Sequence, residues 1–107
     1  MRVLIVGLLR LEVISITKTL PEVKFDVLRD KIINDIDVSV YQYLIIDPFA
    51  IDKKVMENIK SKLKEGIHTR VIIVSTLKLN EVNELEIRLT KYVSKPYLLD
   101  EIIKHIN

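Results

Sequence analysis

Tyr43-Leu44-Ile45-Ile46-Asp47 is an apolar run that stops on a carboxylate, and the rest of the chain is read outward from it. Four successive apolar residues without polar alternation predict a strand buried on both faces. The same form recurs along the chain. Arg2-Val3-Leu4-Ile5-Val6 ends at Gly7-Leu8, Arg70-Val71-Ile72-Ile73-Val74 ends at Ser75-Thr76, and the short run Tyr92-Val93 leads through Ser94 to Lys95-Pro96. Phe25-Asp26-Val27-Leu28 reads as an edge strand.

Between these runs the apolar spacing is helical. Leu9, Val13, Ile16 and Leu20 mark one face of a first helix, which Pro21 ends. Ile32, Ile33 and Ile36 place a short second helix within residues 30–37 that decays into a loop. Asp52 is expected to cap a third helix with Val55, Ile59 and Leu63 on its apolar face and Gly66 at its end. Asn80 is expected to cap a fourth carried by Val82, Leu85 and Leu89, and Leu98, Ile102 and Ile106 form the buried stripe of a fifth. Strands alternating with helices over short connections imply right-handed crossovers, with helices on both faces of the sheet. The expected fold is α/β, a doubly wound five-stranded parallel sheet of order 2-1-3-4-5 in the flavodoxin-like manner. In such sheets ligands bind beyond the carboxyl ends of the strands where the order reverses, here between strands one and three. Gly7, Leu8 and Asp47 would border that crevice.

Composition narrows the class of function. With 107 residues, 49% of them apolar and 30% charged, the chain is expected to be one globular domain over residues 1–107. No apolar run approaches the roughly 18 to 20 residues that span a bilayer. The N-terminal run is short and continues into a periodic helix, unlike a signal peptide. With no cysteine, a cytoplasmic location is expected. Seventeen basic residues against 15 acidic ones leave a net charge of +2, too balanced for a nucleic-acid footprint. His68 and His105 have no metal-ligand spacing, and two glycines, Gly7 and Gly66, make no phosphate cradle. No set of nucleophile, base and orienting group stands out, so neither an enzyme nor a cofactor is expected. Lys53, Lys54, Lys60, Lys62 and Lys64, interrupted by Glu57 and Glu65, read as a solvated helix face.

Taken in order, the strand of residues 2–6, Asp47 after Tyr43-Leu44-Ile45-Ile46, Ser75 after Val71-Ile72-Ile73-Val74, and Tyr92-Val93-Ser94-Lys95-Pro96 resemble the receiver domain of two-component response regulators. The likeness runs over essentially the whole chain. It implies that Asp47 stands where the family has its phosphoacceptor, a carboxylate nucleophile, with Ser75 as the hydroxyl residue and Lys95 as the lysine that contacts phosphoryl oxygens. It further implies a cis bond before Pro96, and that Tyr92 matches an aromatic that turns with the hydroxyl residue on phosphorylation.

The chain departs from the family where the chemistry is most demanding. An anionic donor meeting an anionic nucleophile needs cationic neutralisation, which the family obtains from Mg²⁺ held by acids after the first strand. Gly7 and Leu8 occupy those positions and carry no side-chain oxygen. Glu12 is expected to lie more than a turn into the helix and to point away, so no metal site is expected. Pro48-Phe49-Ala50-Ile51-Asp52 replaces the family's loop, and β-branched Thr76 stands where a small residue usually leaves room for phosphate. Asp47, Ser75 and Lys95 are then a vestigial site in which Lys95 pairs permanently with Asp47, with Arg10 as a second partner.

The expected function is that of a pseudo-receiver, a protein-interaction module in signalling that is independent of Mg²⁺-dependent phosphorylation. Its partner would be a protein or effector domain, or a second copy bound through the fourth helix, fifth strand and fifth helix. Leu79, Ile87, Tyr92 and Tyr97 are the candidate surface residues, and neither nucleic acid nor membrane is expected as a partner. The alternatives are a working phosphoacceptor using Asp47, and a structural dimerisation domain of a larger regulator.

Overall fold

The computed structural model of the chain describes residues 1–28, 37–65, 68–76, 80–81, 91–97 and 99–106. Five strands form one sheet: β1 (Arg2–Val6), β2 (Lys24–Leu28), β3 (Tyr43–Ile46), β4 (Arg70–Ser75) and β5 (Lys91–Ser94). Their order is β2-β1-β3-β4-β5, and every pairing is parallel. Helix α1 (Arg10–Thr19) follows β1, α2 (Lys53–Glu65) follows β3, and α3 (Leu99–Ile103) follows β5. Single 3₁₀ turns at Val38–Val40 and Pro48–Ala50 bracket β3. This is the doubly wound α/β sheet expected of the apolar runs.

Those runs are apolar throughout because each central strand feeds two cores. Leu4 and Val6, Leu44 and Ile46, Val71 and Ile73 face one side, where Met56, Ile59 and Leu63 of α2 cover them. Val3 and Ile5, Tyr43 and Ile45, Ile72 and Val74 face the other, against Val13 and Ile16 of α1 and Ile102 and Ile106 from the C-terminal segment. Side chains alternate across a strand, so a strand covered on both faces has no place for a polar residue. Each such side chain, fully out of water, contributes about 1.5–3 kcal/mol of transfer free energy.

The helix ends follow from local chemistry, with corrections. Asp52 caps α2, its carboxylate accepting from the Val55 amide at 2.9 Å. Leu9 is exposed and is the residue before α1, so the buried stripe of that helix consists of Val13 and Ile16, with Leu20 packed at its margin. Asn80 and Glu81 are already helical, which places Asn80 inside its helix and not ahead of it. The helix expected within residues 30–37 lies outside the described residues apart from Asp37, which caps the 3₁₀ turn at Val38–Val40. Gly66, Val82, Leu85, Leu89 and Leu98 lie outside them too.

The amino edge of the sheet is closed by a polar cluster. Arg2 donates to Asp26 at 2.9 Å, the Tyr41 hydroxyl donates to the same oxygen at 2.7 Å, and the guanidinium lies 5.0 Å from the Tyr41 ring centroid. These contacts tie edge strand β2 to β1 and to the approach to β3.

Candidate functional site

The order β2-β1-β3 reverses at β1, and the crevice beyond the carboxyl ends of β1 and β3 is bordered by Gly7 and Asp47. Strand pairing carries on past Ile46: the Asp47 amide donates to the Val6 carbonyl at 3.1 Å. This brings Asp47 against Gly7, which has φ of +81°. A Cβ at position 7 would lie 2.8 Å from the Asp47 carbonyl oxygen and 3.0 Å from Ile51 Cγ2. Only glycine fits there without displacing backbone, and the left-handed conformation independently favours it. Leu8 turns away from the crevice into the core shared with α1 and α3.

Asp47 is buried, and the Lys95 ammonium lies 2.6 Å from its Oδ2. Its other oxygen, Oδ1, accepts from the Phe49 amide at 3.0 Å, capping the 3₁₀ turn that begins at Pro48. The lysine arrives from the end of β5, where its own amide donates to the Ser75 carbonyl at 2.9 Å; the Lys95–Pro96 peptide bond is cis. Ser75 is fully buried at the end of β4, and Thr76 after it is exposed. Tyr92 is half-buried on β5 against the α2 side of the core, its hydroxyl 3.4 Å from the Ser75 carbonyl oxygen.

Glu12 overturns one expectation. Helix α1 begins at Arg10, so Glu12 is its third residue and not one lying more than a turn inside it. At that position a glutamate side chain reaches back over the helix start, the return half of a capping box. Its Oε1 accepts from the Leu9 amide at 2.9 Å and lies 3.4 Å from the Lys95 ammonium. Its Oε2 accepts a short hydrogen bond from the Tyr97 hydroxyl. Glu12 therefore faces the crevice. Arg10 is exposed, and the second charged member of the cluster is this carboxylate.

The electrostatics follow from burial against pairing. Burial pushes the Glu12 carboxyl up, but the Tyr97 hydroxyl, the Leu9 amide and the Lys95 charge outweigh it and hold it below the usual carboxylate value. For Lys95 burial favours the neutral amine, yet Asp47 and Glu12 hold its pKa above the ordinary lysine value. Tyr97 is pushed well above the usual phenol value by burial and by its carboxylate acceptor.

Tyr97 packs its ring against the α1 side of the core, so Tyr92 and Tyr97 are half-buried, not exposed surface tyrosines. Leu79 and Ile87 lie outside the described residues. Among the described residues the exposed large apolar side chains are Met1, Leu9, Leu11, Ile14, Val40 and Phe49, with Leu9, Leu11 and Phe49 the most exposed.

A five-stranded parallel sheet of order β2-β1-β3-β4-β5 with flanking helices is the flavodoxin-like arrangement, and solved structures of response-regulator receiver domains share this fold. The receiver domain of a Francisella response regulator aligns with a TM-score of 0.73 at 25% identity, over 99% of this chain and 93% of that one. A CheY-like response-regulator receiver domain from Methanospirillum hungatei gives 0.73 at 20% identity, over 98% and 89%. An orphan response regulator of H. pylori gives 0.72 at 20% identity, over 99% and 92%. No protein-family model matches the sequence, and no curated protein matches it.

The residues at this edge do not suit the Mg²⁺ that the fold family implies. Mg²⁺ requires near-octahedral oxygen ligands at about 2.0–2.1 Å. Gly7 and Leu8 supply none from their side chains, and the two carboxylates nearby are bridged by an ammonium. Among the described residues no group of three or more His, Cys, Asp or Glu is placed to hold a metal. No helix among them is long and apolar enough to cross a membrane.

Proposed function

We propose that this chain is an atypical receiver, a pseudo-receiver, acting in signal transduction through protein contacts and not switched by Mg²⁺-dependent phosphorylation. The observation that carries this reading is the state of Asp47. Its carboxylate is buried, bound on one oxygen by the Lys95 ammonium and on the other by the Phe49 amide, beside a strand end that admits only glycine. A phosphoryl donor would have to displace Lys95 from one carboxylate while a second, Glu12, adds its own negative charge nearby. With no divalent ion to neutralise the approach, the attack lacks its main electrostatic support.

The domain then works by the surface it presents, in the cytoplasm, to a protein partner or effector domain. Self-association through the helix expected after Asn80, β5 and α3 is the version in which Tyr92 and Tyr97 lie near the contact. Incubation with acetyl phosphate and Mg²⁺ followed by intact-mass measurement tests the reading. The expected spectrum shows no phosphoryl adduct. A stoichiometric adduct that disappears in Asp47→Asn would overturn it and establish a working phosphoacceptor. Sedimentation over a range of concentrations tests self-association, which a purely monomeric chain would remove.

A further inference from the structure

Each oxygen of the two carboxylates at this edge has a donor from the chain itself. Glu12 Oε1 takes the Leu9 amide and Lys95, Glu12 Oε2 takes Tyr97, Asp47 Oδ1 takes the Phe49 amide, and Asp47 Oδ2 takes Lys95. The four side chains make a continuous path, Asp47 to Lys95 to Glu12 to Tyr97, across the ends of β3 and β5 and the first turn of α1.

We propose that Glu12 is a positioning residue that fixes Lys95 on Asp47, with Tyr97 holding Glu12 in turn, so that the Lys95 ammonium is the resident counter-ion of this site. The inference deepens the pseudo-receiver reading and rests on it: it says what keeps Asp47 closed. Three features of the geometry carry it. First, the amine is drawn from two sides; its side chain retains only 19% of its exposure, and those of Glu12 and Asp47 retain 15% and 7%. Second, Glu12 is not free to swing away, because its two oxygens are fixed from different elements, the Leu9 amide before α1 and the Tyr97 hydroxyl after β5. Third, Tyr97 is itself held, its partly buried ring packed against the buried cluster on the α1 side of the sheet. A long flexible amine held by one carboxylate retains other rotamers; held by two fixed carboxylates it loses them. The start of α1 and the segment after β5 are therefore coupled through one glutamate.

Competitive acylation tests this on the folded chain. Wild type, Glu12→Gln and Tyr97→Phe are treated with a limiting, water-soluble acetylating ester at fixed pH, and the rate at each lysine is read by peptide mass spectrometry. Lys18, exposed on α1, is the internal reference. Glu12→Gln keeps the shape and the amide contact but removes the charge, and should raise the Lys95 rate by roughly threefold or more, the scale of one charge pair at a partly exposed amine. Tyr97→Phe should raise it less, in the same direction, with Lys18 unchanged in both. If Glu12→Gln does not fold, the Tyr97→Phe rate decides. A Lys95 rate equal to wild type in the folded variants overturns the lock. That outcome would leave intact the case for a pseudo-receiver built on Gly7 and Leu8, whereas a phosphoryl adduct on wild-type protein would defeat the pseudo-receiver and leave the lysine rates standing.

Discussion

The carbonyl oxygen of Asp47 lies 2.8 Å from where the first side-chain carbon of any other residue at Gly7 would be. A carboxylate introduced at position 7 would therefore be more than an added ligand, because its stem would need space that the backbone already fills.

Gly7→Ala should therefore destabilise the fold although the site is half-exposed. A left-handed backbone costs a non-glycine residue about 1–2 kcal/mol, and the contacts with Asp47 and Ile51 add to that. The expected loss is ~2–3 kcal/mol by urea unfolding, and Gly7→Asp should lose at least as much while gaining no Mg²⁺ affinity. A neutral Gly7→Ala would contradict this account.

Asp47→Asn tests the pair from the other side. Asparagine can still accept from the Phe49 amide but leaves Lys95 with Glu12 alone. Because Lys95 keeps some contact with water, the loss should be about 1–3 kcal/mol, short of the 3–5 kcal/mol of a fully buried charge left unpaired. Lys95→Met removes the cation and leaves two carboxylates facing each other, so it should be the more damaging change below ~1 M salt. Denaturant midpoints for the two variants, compared at low and high salt, settle the order.

The pH dependence has a definite sign at each end. Glu12, with Lys95, Tyr97 and the Leu9 amide facing it, has a pKa in the folded chain below its ordinary 4.5. Its contribution is present above that value and is lost as pH falls through the lower, folded one. Lys95 and Tyr97 are raised above their ordinary 10.5 and 10.0, so theirs is present below those values and is lost as pH rises through the folded ones. Glu12→Gln should flatten the acid limb of stability against pH, and Tyr97→Phe the alkaline limb, each measured by thermal midpoint. An unchanged acid limb in Glu12→Gln would show that its hydrogen bonds are no stronger folded than unfolded.

Away from the site, Asp52→Ala should cost about 1 kcal/mol through loss of the α2 cap. Ile72→Ala on β4, where the side chain is fully buried, should cost roughly 2–5 kcal/mol. Equal losses in urea unfolding would mean that the core at β4 collapses around the vacancy far better than its packing implies.

Strand positions were legible because a sheet covered on both faces leaves no polar residue at positions 3–6 or 44–46, whereas crossover handedness put helices on both faces without by itself fixing the strand order. Asp47 and Lys95 were legible because strand ends in a parallel sheet share one edge. Glu12 was not. A glutamate three residues after a serine or aspartate announces a helix start, but here the residue before α1 is Leu9, whose side chain accepts nothing, so the return half of the box stands without its usual marker. Nor was the place of Tyr97 legible, because its hydroxyl finds its partner 85 residues away in sequence, a distance over which no local pattern speaks.

Gly7 also imposes an order on change. A chain rebuilt to place a carboxylate at the end of β1 would have to draw the segment from Asp47 to Ile51 back first, since the acid introduced alone meets backbone. The two steps do not commute, because a side chain introduced first meets the Asp47 carbonyl where it stands. The glycine thus acts as a latch on the site, since no single substitution at position 7 leaves the neighbouring segment undisturbed.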